Sequence, residues 1–346
     1  MRYIYFIATI LLLASCGNDS EKPDVSDIKV EITLERFEKD FFSIDTNALD
    51  QSLTALNKKY PRFYPSFTND ILMLHREHRI LPDGNVMIND TGKAVIRSFY
   101  RGYATVHESI QQQYKNLDWL QDDLREAFRY VKYYYPAYAV PSVITFLGTF
   151  DAPGMIITPK YLGIGLQQYA GRNFPAYQDP VIQQLYPSYI SRRFDKEYLV
   201  ANSMKAVVDD LYPDTSSSFS LIEQMIEKGK QWWLASKFLP GEPDSLITGF
   251  TKRQMEWCED NEGNIWSSIL TGSQDLYTID PVTIQTYIGE SPATMGMPDI
   301  SPGNIGQWVG WRIVEKFAER NAGMKVQEVL ATPARTLFQE ARYKPK

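Results

Sequence analysis

The chain holds three histidines, His75, His78 and His107, and they bound the metal and acid–base chemistry it can offer. In "HREH", His75 and His78 are three apart, a spacing that puts both on one helical face. In "VHESIQ", His107 precedes Glu108, but the position four beyond His107 is Gln111, so the HExxH zinc-protease pattern is absent. A three-histidine zinc site is chemically open. The plainer reading, the exposed polar end of a helix, is favoured.

Other chemistry has as little local support. There is no G-x-S-x-G nucleophile elbow. "LGIGLQ" carries Gly163 and Gly165 but lacks the third glycine and helix start of a dinucleotide fingerprint, so a strand explains it better. Glu259, Asp260 and Glu262 in "WCEDNEGNIW" are abundant carboxylates without a known separation, and they read as a solvated helix-to-helix turn around Gly263. Cys258, beside Trp257 in a helical pattern, reads as a buried structural thiol. No catalytic residue, metal ligand or cofactor-binding residue is assigned, and no cofactor is expected.

The elements that would carry any site divide the chain in three. "IKVEITLERFEKDFF" alternates as a first strand around residues 28 to 38. Helical patterns follow over "SIDTNALDQSLTALNKKYP", "FTNDILMLHREHRIL", "TGKAVIRSFYRGYATVHESIQQQYKNL" and "DWLQDDLREAFRYVKYYY". The middle runs "VPSVITFLGTF", "GMIITPKYL" and "LGIGLQQYAG" are β-branched and glycine-punctuated, and predict two or three strands. Helices then resume to the end, including "TKRQMEWCEDNEGNIWSSIL" and "DPVTIQTYIG". The expected fold class is α+β, mostly helical, with a small mid-chain sheet and helices around it.

"SPGNIGQWVGWRIVEKFAER" is the most unusual of these helical patterns. Ser301-Pro302 supplies a helix start, since proline is tolerated in a first turn. Gly303, Gly306 and Gly310 would share one face, each costing about 1 kcal/mol against alanine. Gly306 and Gly310, one turn apart, make a side-chain-free stripe for close packing, with Trp308 and Trp311 beside it. Arg312, Glu315 and Lys316 exclude a membrane span. Trp308, Trp311, Gly306 and Gly310, with Trp232 and Trp233, form the candidate packing or contact surface.

The N-terminus bears on location. "MRYIYFIATILLLASC" has Arg2, an apolar stretch from Tyr3 to Leu13, and then "LASC". The stretch is too short for a comfortable span and fits a signal-peptide core. Its end resembles a bacterial lipobox, with Cys16 as the lipidated residue. The expected organisation is a signal peptide over 1–15, a flexible tether over 16–27 and one globular α+β domain over 28–346. The net charge of −6 comes without a basic stripe, which excludes nucleic acid as a partner.

Several motifs together carry a family resemblance. They are the lipobox, "NKKYPRFYPSF", "REAFRYVKYYYPAYAVPSVITFLGTF", "LGIGLQQYAGRNFPAY", "GKQWWLASKFLPGEPDSLITGFTKRQMEWCEDNEGNIW" and "SPGNIGQWVGWRIVEKF". Over nearly its full length the chain resembles the gliding motility lipoprotein GldB family of the Bacteroidetes. That resemblance implies a cell-envelope protein tied to gliding and to the associated type IX secretion machinery, with no defining enzyme activity.

The order of strands, helix and second helix also resembles a family of predicted zinc peptidases with a zincin-like domain. There HExxH would sit on the first helix and a glutamate before a glycine on the second. The corresponding positions here, around Ser203 to Ala206 and at Lys228 before Gly229, lack metal ligands. A metal-less, zincin-like (peptidase-like) architecture is the implied fold.

The functional expectation is a non-enzymatic lipoprotein, held on a membrane by the lipid at Cys16 and acting through contacts with other gliding or secretion proteins. It would face the periplasm. Gly17 after Cys16 gives no acidic inner-membrane retention signal, so the outer membrane is preferred. The alternative is an envelope hydrolase, acting on peptide or peptidoglycan through carboxylates or the sparse histidines.

Overall fold

The computed structural model describes residues 22–82, 86–273 and 275–345. Cys16 and the segment read as a signal peptide lie outside the described residues. Of the segment read as a tether, Val25 is buried. No helix among the described residues is long and apolar enough to cross a membrane.

Three of the four strands in the central sheet are parallel: β1 (Leu34–Arg36), β4 (Ser142–Phe146) and β6 (Tyr161–Gly165). β5 (Met155–Ile157) pairs antiparallel with β6, giving the order β1-β4-β6-β5. A separate hairpin joins β2 (His78–Ile80) to β3 (Val86–Ile88).

The apolar run of β4 follows from burial on both faces. Val143, Leu162 and Ile164 face one hydrophobic core. Ile144, Phe146 and Tyr161, one residue out of step, face the other. The smaller core packs around the short helix α1 (Phe37–Phe41), where Phe37 and Phe41 sit on one face four residues apart. The Phe37 ring lies 5.0 Å from Phe63 and 4.6 Å from Phe67. Arg36 and Glu38 flank that helix start: Arg36 Nε is 2.7 Å from Glu38 Oε1, and Thr145 Oγ1 donates to Glu38 Oε2 at 2.7 Å.

The larger core is helical. It gathers α2 (Asp118–Tyr134), α3 (Leu199–Leu211), α4 (Leu221–Phe238), α5 (Ile305–Arg320), α6 (Val326–Ala331) and α7 (Ala334–Ala341). The architecture is therefore α+β and mostly helical, with the small sheet enclosed between two helical layers.

Four local expectations are corrected. The first strand is confined to Leu34–Arg36 because the paired phenylalanines draw the next five residues into a helix. The pattern over "FTNDILMLHREHRIL" is not one helix. A π-helical turn spans Phe67–Ile71, Met73 turns left-handed at φ 56, and His78 enters β2. His75 and His78 thus share no helical face.

The helix break expected around Gly263 falls at Asn261, whose N–H and side-chain amide cap the carbonyls of Cys258 and Trp257; Gly263 is helical. Ser301-Pro302 does not start α5. Asn304, at φ 49, precedes its first residue, and Gly303 lies outside the helix against the Ser291 backbone.

Candidate functional site

The glycine and tryptophan residues singled out above converge where α4 crosses α5. A β-carbon on Gly306 would lie 2.8 Å from the Tyr287 carbonyl oxygen and 3.1 Å from Met225 Cγ. One on Gly310 would overlap the Met225 carbonyl, and one on Gly229 would overlap the Gly310 carbonyl. The helices meet backbone to backbone, so glycine is required at the contact. Around that contact Trp232, Trp233, Trp308 and Trp311 are all buried. Trp232 meets Trp311 edge to face at 6.2 Å, and meets Phe250 likewise at 5.9 Å. The Trp311 indole N–H has no hydrogen-bond partner among the described residues, a cost of about 1–3 kcal/mol accepted for the packing.

On its outer side the same helix pair walls a groove of about 720 Å³. Trp233 and Lys237 come from α4, Arg312, Glu315 and Glu319 from α5, and Tyr134 from the end of α2. The Lys237 ammonium lies 5.1 Å over the Trp233 ring, a cation–π contact. Burial pulls the Lys237 ammonium below the ordinary lysine range.

Glu315 is 2.5 Å from Arg312 Nη1, yet burial outweighs that pairing and pushes its carboxyl up to about 7. Arg312 also reaches Glu262 at 3.5 Å, and Tyr343 Oη donates to Glu262 at 2.7 Å. The groove thus carries a carboxyl that exchanges protons near neutrality beside a fixed guanidinium. Sequence reading missed it because its walls come from several separate segments; only the Arg312–Glu315 spacing of three residues was visible.

The histidines do not assemble. The exposed His75 ring shares a hydrogen bond with Asn69 Oδ1 at 2.8 Å, and His78 Nδ1 donates to the Leu74 carbonyl at 3.0 Å. His107 stacks on Phe42 with ring centroids 4.4 Å apart, and burial lowers its proton affinity. Among the described residues no group of three or more His, Cys, Asp or Glu side chains is placed to hold a metal ion.

At the positions compared with a zinc site, Ser203 Oγ donates to the Leu199 carbonyl at 2.7 Å and Lys228 pairs with Asp214 at 2.8 Å. Burial pushes the Cys258 thiol up to about 12, which keeps it protonated and a poor nucleophile. The carboxyl ends of the parallel strands, a usual ligand position in such sheets, are filled by buried Gln167. Its Oε1 accepts from the Gly148 N–H at 3.0 Å and its Nε2 donates to the Ala152 carbonyl at 3.3 Å.

These features define a helical α+β protein with a side groove and with its strand ends closed. The family model described as gliding motility protein GldB matches residues 18–345, and the chain belongs to that family. Membership gives it a role in gliding motility. No curated protein and no solved structure gives a match.

Proposed function

We propose that the protein is a non-enzymatic cell-envelope lipoprotein, anchored through Cys16, that supports gliding and the associated type IX secretion machinery by protein–protein contacts. The family match across the folded chain carries this reading. Its anchor would lie close to the domain. Lys22 is six residues beyond Cys16, and six extended residues span at most about 20 Å. Lys22 Nζ lies 5.3 Å over the Tyr130 ring of α2, so the α2 side of the domain would face the membrane. The groove between α4 and α5 is the surface favoured for a partner, since it combines exposed charge with an aromatic wall. The outer membrane, facing the periplasm, is the preferred site.

Two measurements test this. Cys16→Ser should abolish metabolic labelling with palmitate, release the protein from membranes and stop gliding; unchanged membrane association refutes the anchor. A photo-crosslinking residue at Ala322, in the groove wall, should trap gliding or secretion proteins in living cells. Equal yields from a probe at Asp50, in the helix Leu49–Lys59 and outside the groove lining, would remove the groove as the contact surface.

Glu315 favours one second reading, an envelope hydrolase using this carboxyl as its acid–base group. Glu315→Gln at normal abundance should then abolish peptide or peptidoglycan cleavage. Full gliding in that variant would dismiss the reading.

A further inference from the structure

A second cavity lies at the opposite end of α5 from the groove, and its charge is unbalanced. It measures about 160 Å³ and is walled by three segments: Tyr189–Arg193, Thr248–Gln254 and Glu290–Asn304. Two adjacent arginines, Arg192 and Arg193, line it, against one lining carboxylate, Glu290. That carboxylate is already engaged. Glu290 Oε1 accepts from Arg193 Nη1 at 3.1 Å and from Asn304 Nδ2 at 3.3 Å.

Among the described residues no carboxylate lies within ion-pair distance of Arg192. It donates from Nη2 to the Gly249 carbonyl at 2.6 Å, and the Tyr198 phenol and the more distant Glu290 carboxylate also act on it. A guanidinium offers five donors and is seldom left partly buried without a counter-charge. Lys205 lies close to Arg193, Glu290 and Asp209, and burial pulls its ammonium down to about 8, so it adds only part of a positive charge there. The surplus is local, because the whole chain is acidic at −6.

The backbone holds this arrangement in place. Gly249 turns left-handed at φ 72, and a β-carbon there would meet the Arg193 guanidinium at 2.7 Å. Buried Asn304, left-handed at φ 49, points its amide at the same carboxylate as Arg193. The start of the sixteen-residue α5 adds partial positive charge on that side.

We propose that this cavity binds a small oxyanion, a carboxylate or a phosphate group, with Arg192 supplying the unpaired guanidinium and Arg193 and Asn304 the flanking donors. Its volume accommodates a group the size of a phosphate or a carboxylate. Arginine forks match both carboxylate and phosphate, so the chemistry is shared between the two sources.

The test uses the full-length lipoprotein in detergent micelles, titrated calorimetrically with inorganic phosphate and separately with acetate. Saturable binding of one per chain is expected for at least one anion, and their relative affinities tell which source the site suits. Arg192→Gln and Arg193→Gln should each weaken it at least tenfold, while Glu319→Gln, in the distant groove, should leave it unchanged. Wild-type protein that binds neither anion overturns the proposal, whatever the variants' folding. Undiminished binding in both arginine variants with native circular dichroism overturns it equally.

Discussion

A β-carbon on Gly229 of α4 would overlap the backbone carbonyl of Gly310 on α5, so these two helices touch main chain to main chain. Neither residue can gain a methyl group unless the helices part. Gly310→Ala should destabilise the fold by about 3 kcal/mol, the upper part of the range for overpacking, because the obstruction is backbone that cannot rotate away. Gly102→Ala is the control: beyond its own helix backbone and chain neighbours, no described atom lies within 4 Å of the added carbon, and the helix Asp90–Gly102 should gain up to about 1 kcal/mol. Urea unfolding followed by circular dichroism reads both. A Gly310→Ala protein of normal stability would show that α4 and α5 can slide, contrary to the packing described.

Arg36 and Glu38 form a buried pair beside the smaller core, with side-chain exposures of 14% and 0%. Arg36 also donates from Nη1 to the Tyr114 carbonyl at 2.6 Å, tying β1 to the end of the helix Ala104–Gln113. Arg36→Met should cost about 3–5 kcal/mol, because it strands the Glu38 carboxylate without its counter-charge. Adding Glu38→Gln removes that stranded charge, so the double variant should recover about 1–3 kcal/mol of the loss. Strictly additive effects in the same unfolding assay would mean that the pair contributes no coupling.

The central strands β4 and β6 were legible because they are buried on both faces, and double burial leaves β-branched runs such as "SVITF" without alternation. Long helices such as α4 were legible from period and capping: Ser220 and Glu223 form a capping box at its start. The helix breaks were not. Met73 and Asn304 adopt left-handed backbone although neither is glycine, and neighbouring periodicity gives no sign of it. The glycine stripe was readable as a close-packing device, but its opposite number, Gly229, gives no signal in sequence. The groove and the arginine cavity were invisible for a simpler reason. Each collects residues from segments far apart in the sequence.

Lys230 of α4 shows how a buried charge can tie one helix to the end of another. It is 1% exposed, and its ammonium reaches Glu227 at 2.8 Å and the carbonyls of Leu330 and Thr332 at 3.0 and 2.8 Å. Those carbonyls lie at the C-terminal end of α6, where the last carbonyls have no partner within the helix. Lys230→Met fills the volume but leaves two carbonyls and a carboxylate short of donors, and should cost about 2–3 kcal/mol. Amide exchange of residues 326–332 should accelerate more than that of the sheet. Uniform acceleration throughout would show that Lys230 acts on the whole core and not on this helix end.

Glu315 makes the groove sensitive to pH in a direction that can be worked out. Its folded carboxyl titrates at about 7, above the ordinary value of 4.5, because burial outweighs the pull of Arg312. Between those values the folded state holds a proton that the unfolded chain has released. The contribution is therefore fully present below pH 4.5 and is lost as pH rises through 7. The side chain keeps 27% exposure, so solvent screening reduces the effect to on the order of 1–2 kcal/mol. Glu315→Gln cannot titrate, and its urea midpoint should fall less between pH 5 and pH 8 than that of the wild type. Arg312 remains paired through Glu262 in this variant, so the loss of one partner does not leave it uncompensated. Parallel pH profiles for the two proteins would remove Glu315 as the titrating group and return its carboxyl to the ordinary range.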